Sequence, residues 1–127
     1  EIRYSWQDYQ ALVAFLRDRT DHSIPVANLL PHQPAVTSVT RHPSLFPAES
    51  IAWLHVRRED EAVFQRALKD AREALVVWSP ELDRLHEGQE AYTQDSLWPG
   101  LKAAVRRDYE PWKRFGIFEV WTRRPAP

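Results

Sequence analysis

Residues 109–124 read Tyr109-Glu-Pro-Trp-Lys-Arg-Phe-Gly-Ile-Phe-Glu-Val-Trp-Thr-Arg-Arg124, and this stretch predicts a β-hairpin that closes the fold. Its aromatic-rich arms, 112–115 and 117–123, meet at Gly116, a residue type that readily adopts turn geometry. Because successive strand residues point to opposite faces, the second arm divides into two sets. One set is Phe118, Val120 and Thr122, and the other is Ile117, Glu119, Trp121 and Arg123. The hairpin therefore presents one face that is more apolar than the other.

Upstream of the hairpin, the spacing of apolar residues predicts three helices and two strands. Helices are expected over 5–19, 59–73 and 96–109, and buried strands over 24–30 and 74–78. The segment 48–56 fits neither period cleanly and is expected to be a brief helix that enters a strand. The polar segment 81–95 is expected to be a loop with a helical turn. The order of elements predicts an α/β fold: a small mixed β-sheet of about four strands, covered by three or so helices and ending in the C-terminal β-hairpin.

Length and composition indicate one globular domain over 1–127. Hydrophobic residues make up 43% of the chain and charged residues 28%, a balance far from that of disordered segments. No apolar run reaches the roughly 18 to 20 residues of a membrane helix. The chain begins at Glu1 and contains no methionine. We therefore expect a domain excised from a longer protein, whose remainder carries any membrane segments.

Several function classes lack their usual residues. A net charge of -1 gives no electrostatic reason to expect nucleic acid as a partner. The chain has no cysteine, and its five histidines lack the spacing of two metal ligands on one helix face. With only three glycines, neither a phosphate loop nor a dinucleotide fingerprint is present. We expect no metal, no cofactor and no catalytic residue within this chain.

The long proline-containing segment from Pro31 to Pro47 is expected to be an extended loop, and long loops are often functional. The Arg41 guanidinium, with the nearby His42 and Ser44 side chains, could bind a carboxylate or phosphate. Alternatively, Arg41 forms an ion pair with Glu49 that fixes the conformation of the loop. The candidate ligand-binding residues are Arg41, His42, Ser44 and Glu49.

The six tryptophans divide into two groups by the segments that contain them. Four lie where core side chains are needed, and two lie where exposure is expected. The first group is Trp6, Trp53, Trp78 and Trp121, and the second is Trp98 and Trp112.

Several stretches together resemble a known family of domains. They are 24–31 (IPVANLLP), 40–44 (TRHPS), 74–78 (ALVVW), Tyr109 and 115–124 (FGIFEVWTRR). They look like the soluble C-terminal domain of polytopic membrane glycosyltransferases, similar to the dolichyl-phosphate-mannose protein mannosyltransferase and aminoarabinose transferase superfamily. In that superfamily the catalytic acids lie on an extracytoplasmic loop between early membrane helices, a region that has no counterpart here.

The resemblance implies an accessory, noncatalytic domain at the extracytoplasmic (periplasmic) face of the membrane. Its expected partners are the membrane-embedded portion of the parent protein and a glycan or lipid-phosphate ligand, with no nucleic acid. Two alternatives stay open. The chain could be a free-standing ligand-binding or protein-interaction module, or a small hydrolase or transferase with its site around His42, Ser44 and Glu49.

Overall fold

The computed structural model describes residues 6–30, 36–45, 61–81 and 98–125, and it confirms the predicted α/β class. These residues contain four helices and four strands, and the last two strands form the hairpin. In order, the elements are α1 (Trp6–Asp18), β1 (Val26–Asn28), α2 (Val36–Thr40), α3 (Glu61–Asp70), β2 (Leu75–Trp78), α4 (Trp98–Asp108), β3 (Tyr109–Phe115) and β4 (Phe118–Arg123).

The four strands form one mixed sheet in the order β1-β2-β4-β3. β1 and β2 are parallel, whereas β4 runs antiparallel to both of its neighbours, β2 and β3. The sheet therefore places the starts of β1, β2 and β3 and the end of β4 along the same edge. Residues far apart in sequence meet there.

Both faces of the sheet are covered by helices, which explains why β2 is buried along its whole length. Val76 and Trp78 pack on one face with α3 and α4, while Leu75 and Val77 pack on the other with α1 and α2. The alternation predicted for β4 is confirmed for Phe118, Val120 and Trp121, but it is wrong for Ile117, which lies in the turn and packs on the Phe118 side. Phe118 and Val120 lie on the α1 face, and Trp121 lies on the α3–α4 face.

The hairpin turns at Gly116, as predicted, and the structure shows why glycine is needed there. Its φ is 61°, in the left-handed region, and a Cβ at this position would collide with the Asp8 carboxylate of α1. The first arm is longer than predicted, because β3 begins at Tyr109 directly after α4. Pro111 is tolerated because β3 is an edge strand, and a register shift between Pro111 and Lys113 interrupts its pairing.

The expectation of an extended loop over 31–47 is wrong at 36–40, where α2 forms. Thr40 Oγ1 donates to the Val36 carbonyl oxygen at 2.6 Å, which closes the single helical turn. β-branched residues have modest helix propensity. Tertiary packing stabilises the turn instead, since Val36, Thr37 and Thr40 are all buried.

The assignment of Trp6 to the core is also wrong, because its side chain is 63% exposed. It is the first residue of α1 and stacks on Tyr9 at the surface. Trp112 is exposed and Trp78 and Trp121 are buried, as predicted. Trp53, the side chain of Trp98, and most of the ambiguous segments 48–56 and 81–95 lie outside the described residues.

Candidate functional site

The residues Arg41 and His42 lie in the turn that ends α2. The Arg41 N–H donates to the Ser38 carbonyl at 3.2 Å, and the His42 N–H donates to the Thr37 carbonyl at 3.1 Å. This is the hydrogen-bond pattern of a Schellman motif, whose first residue beyond the helix takes the left-handed conformation. Arg41 has a φ of 62°, although glycine usually occupies this position. The turn leaves Arg41 exposed and directs His42 inward.

His42 is only 5% exposed and connects three segments of the chain. Its Nδ1 lies 2.7 Å from the Ile24 carbonyl oxygen beside β1. Its Nε2 lies 2.9 Å from the Leu16 carbonyl oxygen of α1 and 2.8 Å from the Thr20 hydroxyl. Both ring nitrogens therefore contact backbone acceptors, which is the arrangement of a structural histidine.

A second histidine and an aspartate lie beside this buried ring. The His22 ring packs edge-on against His42, with centroids 5.1 Å apart. The pKa of the Asp21 carboxyl is lowered, chiefly because the Ser23 backbone N–H and hydroxyl donate to it, with a smaller contribution from the two imidazoles. Asp21 and His22 are exposed, so this cluster lies at the surface rather than in a cleft.

The other predicted site residues, Ser44 and Glu49, do not join the contacts of His42 in the described residues. Ser44 forms an isolated parallel bridge with Val26, so the segment after α2 pairs with the outer edge of β1. Glu49 lies outside the described residues. The structure therefore brings His42 together with α1 and β1, while Ser44 lies in a β-bridge and Arg41 is exposed.

We expect Arg41→Gly to stabilise the protein by about 1 kcal/mol. A non-glycine residue in the left-handed region costs roughly 1–2 kcal/mol, and glycine's greater freedom in the unfolded chain offsets part of that gain. Urea denaturation followed by tryptophan fluorescence measures the change. Arg19→Gly, at an exposed position just after α1, is the control and should not stabilise. Destabilisation by Arg41→Gly would instead assign the guanidinium a structural contact.

A different group of residues, not predicted from the sequence, lines a cleft at the sheet edge where β1 and β2 begin and β4 ends. The cleft has a volume of about 730 Å³. The sequence feature that could have indicated this cleft is a pair of arginine doublets, at 106–107 and 123–124, one at each end of the hairpin. This basic cleft is lined by Ile24, Arg72, Glu73, Ala74, Leu75, Arg107, Asp108, Thr122, Arg123, Arg124 and Pro125.

The guanidinium of Arg123 holds one wall of the basic cleft together. It donates to the carbonyl oxygens of Leu68, Lys69 and Ala71 at 2.8–3.0 Å. Leu68 and Lys69 lie in the last turn of α3 and Ala71 follows it directly, where backbone acceptors lack partners within the helix. A cationic donor there also suits the negative end of the helix dipole. Arg123 therefore acts as a C-terminal cap supplied by a strand.

The Tyr109 side chain packs beneath the same cap. Its hydroxyl donates to the Leu68 carbonyl at 3.1 Å, and the Arg123 guanidinium lies 5.8 Å from its ring centroid. Burial raises the pKa of Tyr109, and a hydrogen bond from Arg123 opposes part of that rise. The phenol thus stays protonated as a buried donor.

Asp108 is the carboxylate most closely tied to the cleft arginines. Its Oδ1 and Oδ2 accept from Arg107 Nε and Nη2 at 3.2 and 3.0 Å. The Arg107 hydrogen bonds lower the pKa of Asp108, with further lowering from the charges of Arg107, Arg123 and Lys69. Asp108 is therefore an anion held by surrounding cations.

No cluster of three His, Asp or Glu side chains able to hold a metal ion occurs in the described part of the chain. Each helix within the described ranges is too short or too polar to cross a bilayer. Comparison with protein-family models, curated proteins and solved structures finds no match to this chain.

Proposed function

We propose that this chain is an accessory, noncatalytic extracytoplasmic domain of a membrane-bound glycosyltransferase that uses lipid-linked sugar donors. The observation that carries the proposal is the C-terminal hairpin, which contains the longest stretch of the family resemblance. It forms half of the sheet, and β4 lies at its centre beside β2. A fold alone does not assign a function. The second support for the proposal is therefore the exposed surface of the hairpin.

The outer part of the hairpin carries an exposed aromatic surface suited to a protein partner. Trp112 of β3 is 46% exposed and packs edge-on against Phe15 of α1, at 5.2 Å between centroids. Phe115 continues this contact, and the Lys113 ammonium lies 5.6 Å from the Trp112 ring. Large exposed aromatic side chains beside a cation are typical of interfaces. In the proposal this surface contacts the membrane-embedded portion of the parent, at the periplasmic face.

Two observations test the accessory-domain proposal, one on the natural gene and one on the isolated chain. The natural reading frame is expected to encode membrane helices upstream of residue 1. The purified 127-residue chain, given a polyprenyl-phosphate sugar donor and an acceptor, should transfer no sugar. Transfer by the chain alone would show that it is an enzyme and would end the accessory-domain proposal.

A substitution in the intact protein tests the aromatic surface. Trp112→Gln should reduce sugar transfer at least about fivefold, because a central interface tryptophan usually contributes well over 1 kcal/mol to association. Val39→Gln is the matched control, since Val39 of α2 is similarly exposed, at 47%. Equal activity of the two variants would remove the aromatic surface from the proposed role.

A further inference from the structure

We propose that the basic cleft binds a small organic molecule carrying a phosphate monoester. Four arginines, Arg72, Arg107, Arg123 and Arg124, and two acidic residues, Glu73 and Asp108, line one cavity. The cleft therefore carries an excess of two positive charges, although the whole chain has a net charge of -1. This surplus is local, and a concave surface concentrates it.

The arginines differ in how much of their donor capacity the protein already uses. Arg123 donates to three backbone carbonyls, so it contributes charge and holds the wall. Arg107 is bound by Asp108 through two of its nitrogens. Arg72 is exposed and has no ion pair within the described part of the chain. It is the guanidinium best placed to bind an incoming anion with a pair of parallel hydrogen bonds.

Arg124 is the second arginine available to a ligand. Its Nη2 donates to the Arg106 carbonyl at 3.2 Å, and its Nη1 lies 3.7 Å from the Glu110 carboxylate. Both members of this ion pair are nearly half exposed, at 47% and 44%, so the pair is weak and can be exchanged for a more highly charged partner. A phosphate monoester carries about -1.5 to -2 charge at neutral pH, which matches the surplus better than a single carboxylate does.

The size and the apolar part of the cleft indicate that the phosphate is attached to an organic group. A volume of about 730 Å³ falls within the usual range for small-molecule sites and far exceeds one phosphate. Ala74 and Leu75 are only 4% exposed, so the apolar side chains available to a ligand are those of the half-buried Ile24 and the exposed Pro125. The cations can hold the phosphate while these apolar groups contact the rest of the ligand.

A neighbouring groove extends the positive surface. It has a volume of about 390 Å³ and is lined by Gln65, Arg66, Lys69, Asp70 and Arg107. Arg107 is thus shared by the groove and the basic cleft. The additional cations in this groove raise the local concentration of anionic ligands, and salt screens their effect. Binding should therefore weaken as ionic strength rises.

Titration of the full chain with phenyl phosphate, inorganic phosphate and phenol, followed by amide NMR shifts, tests the proposal. Phenyl phosphate should bind most tightly, inorganic phosphate more weakly and phenol not measurably. The shifts should concentrate at residues 72–75 and 122–124. Arg72→Gln should weaken phenyl phosphate binding about tenfold, because it removes a charge-assisted contact. Arg19→Gln, an equal charge change at an exposed residue that does not line the cleft, should change it less than about twofold.

Arg124→Gln provides a second, independent variant, and it should also weaken binding. Equal weakening by Arg19→Gln would show non-specific charge attraction and overturn the proposal. So would phenol binding as tightly as phenyl phosphate, succinate binding as tightly as phenyl phosphate, or no saturable shifts at all. The cleft is independent of the transferase proposal. Either proposal can fail while the other stands, because this titration uses the isolated chain and does not depend on sugar transfer.

Discussion

Val77→Asp is expected to abolish folding. Val77 lies in the middle of β2, is fully buried, and pairs with Asn28 of β1 on one side and Val120 of β4 on the other. A carboxylate there would be surrounded by apolar side chains such as Phe118. Burying a charge without a partner costs several kcal/mol, and we expect a loss of at least about 4 kcal/mol. Ordinary domains are stable by only about 5–15 kcal/mol, so a loss of this size or more removes a large part of that stability.

Circular dichroism and urea denaturation of Val77→Asp measure this loss. Val63→Asp introduces the same group on α3, where Val63 is 54% exposed, and should cost about 1 kcal/mol or less. Leu101→Asp, at a fully buried position of α4, should behave like Val77→Asp on the opposite face of the sheet. A Val77→Asp protein that melts like the parent would mean that the core is misplaced.

Arg123→Met is expected to lower the free energy of unfolding by about 2–3 kcal/mol. The substitution keeps an apolar stem but removes the donors to Leu68, Lys69 and Ala71. Hydrogen bonds to a charged group contribute about 1.5–3 kcal/mol each. The total loss is smaller than their sum, because carbonyls at this helix end can bind water once the arginine is removed.

Urea denaturation at neutral pH gives the size of the Arg123 effect. Arg17→Met serves as the matched control and should cost less than about 0.5 kcal/mol. Among the described residues, the Arg17 guanidinium pairs only with its exposed neighbour Asp18, at 3.2 Å. Arg123→Lys should fall between the two, because a single ammonium cannot reach three carbonyls in the same fork geometry. An unchanged midpoint for Arg123→Met would show that the cap adds nothing to stability.

The sequence predicted the sheet well where neighbouring residues carry the pattern. The apolar run 75–78 is a strand because both of its faces are buried, and the alternation in β4 identified Phe118 and Trp121 as opposite-facing core residues. Gly116 marked the turn correctly. These features depend on periodicity and turn chemistry, which a single stretch of chain displays.

Sequence reasoning failed where tertiary contacts outweighed local preference. α2 forms from mostly β-branched residues because Val36, Thr37 and Thr40 are buried. Trp6 continues the apolar stripe of α1, yet it lies at the first turn of the helix and remains largely exposed. Periodicity identifies a face of a helix but does not say how far along the helix that face is covered.

Patterns along the chain predicted α1, α3, α4, the strands and the hairpin, because hydrophobic spacing and a glycine turn act between residues that are close in sequence. The three-dimensional fold, in contrast, was needed to show that His42 is bound by α1 and the start of β1, and that Arg72, Arg107 and Arg124 line one cleft. The strand order β1-β2-β4-β3 joins residues from 24 to 125 at one sheet edge. Such a meeting depends on strand pairing across most of the chain, which local patterns do not encode.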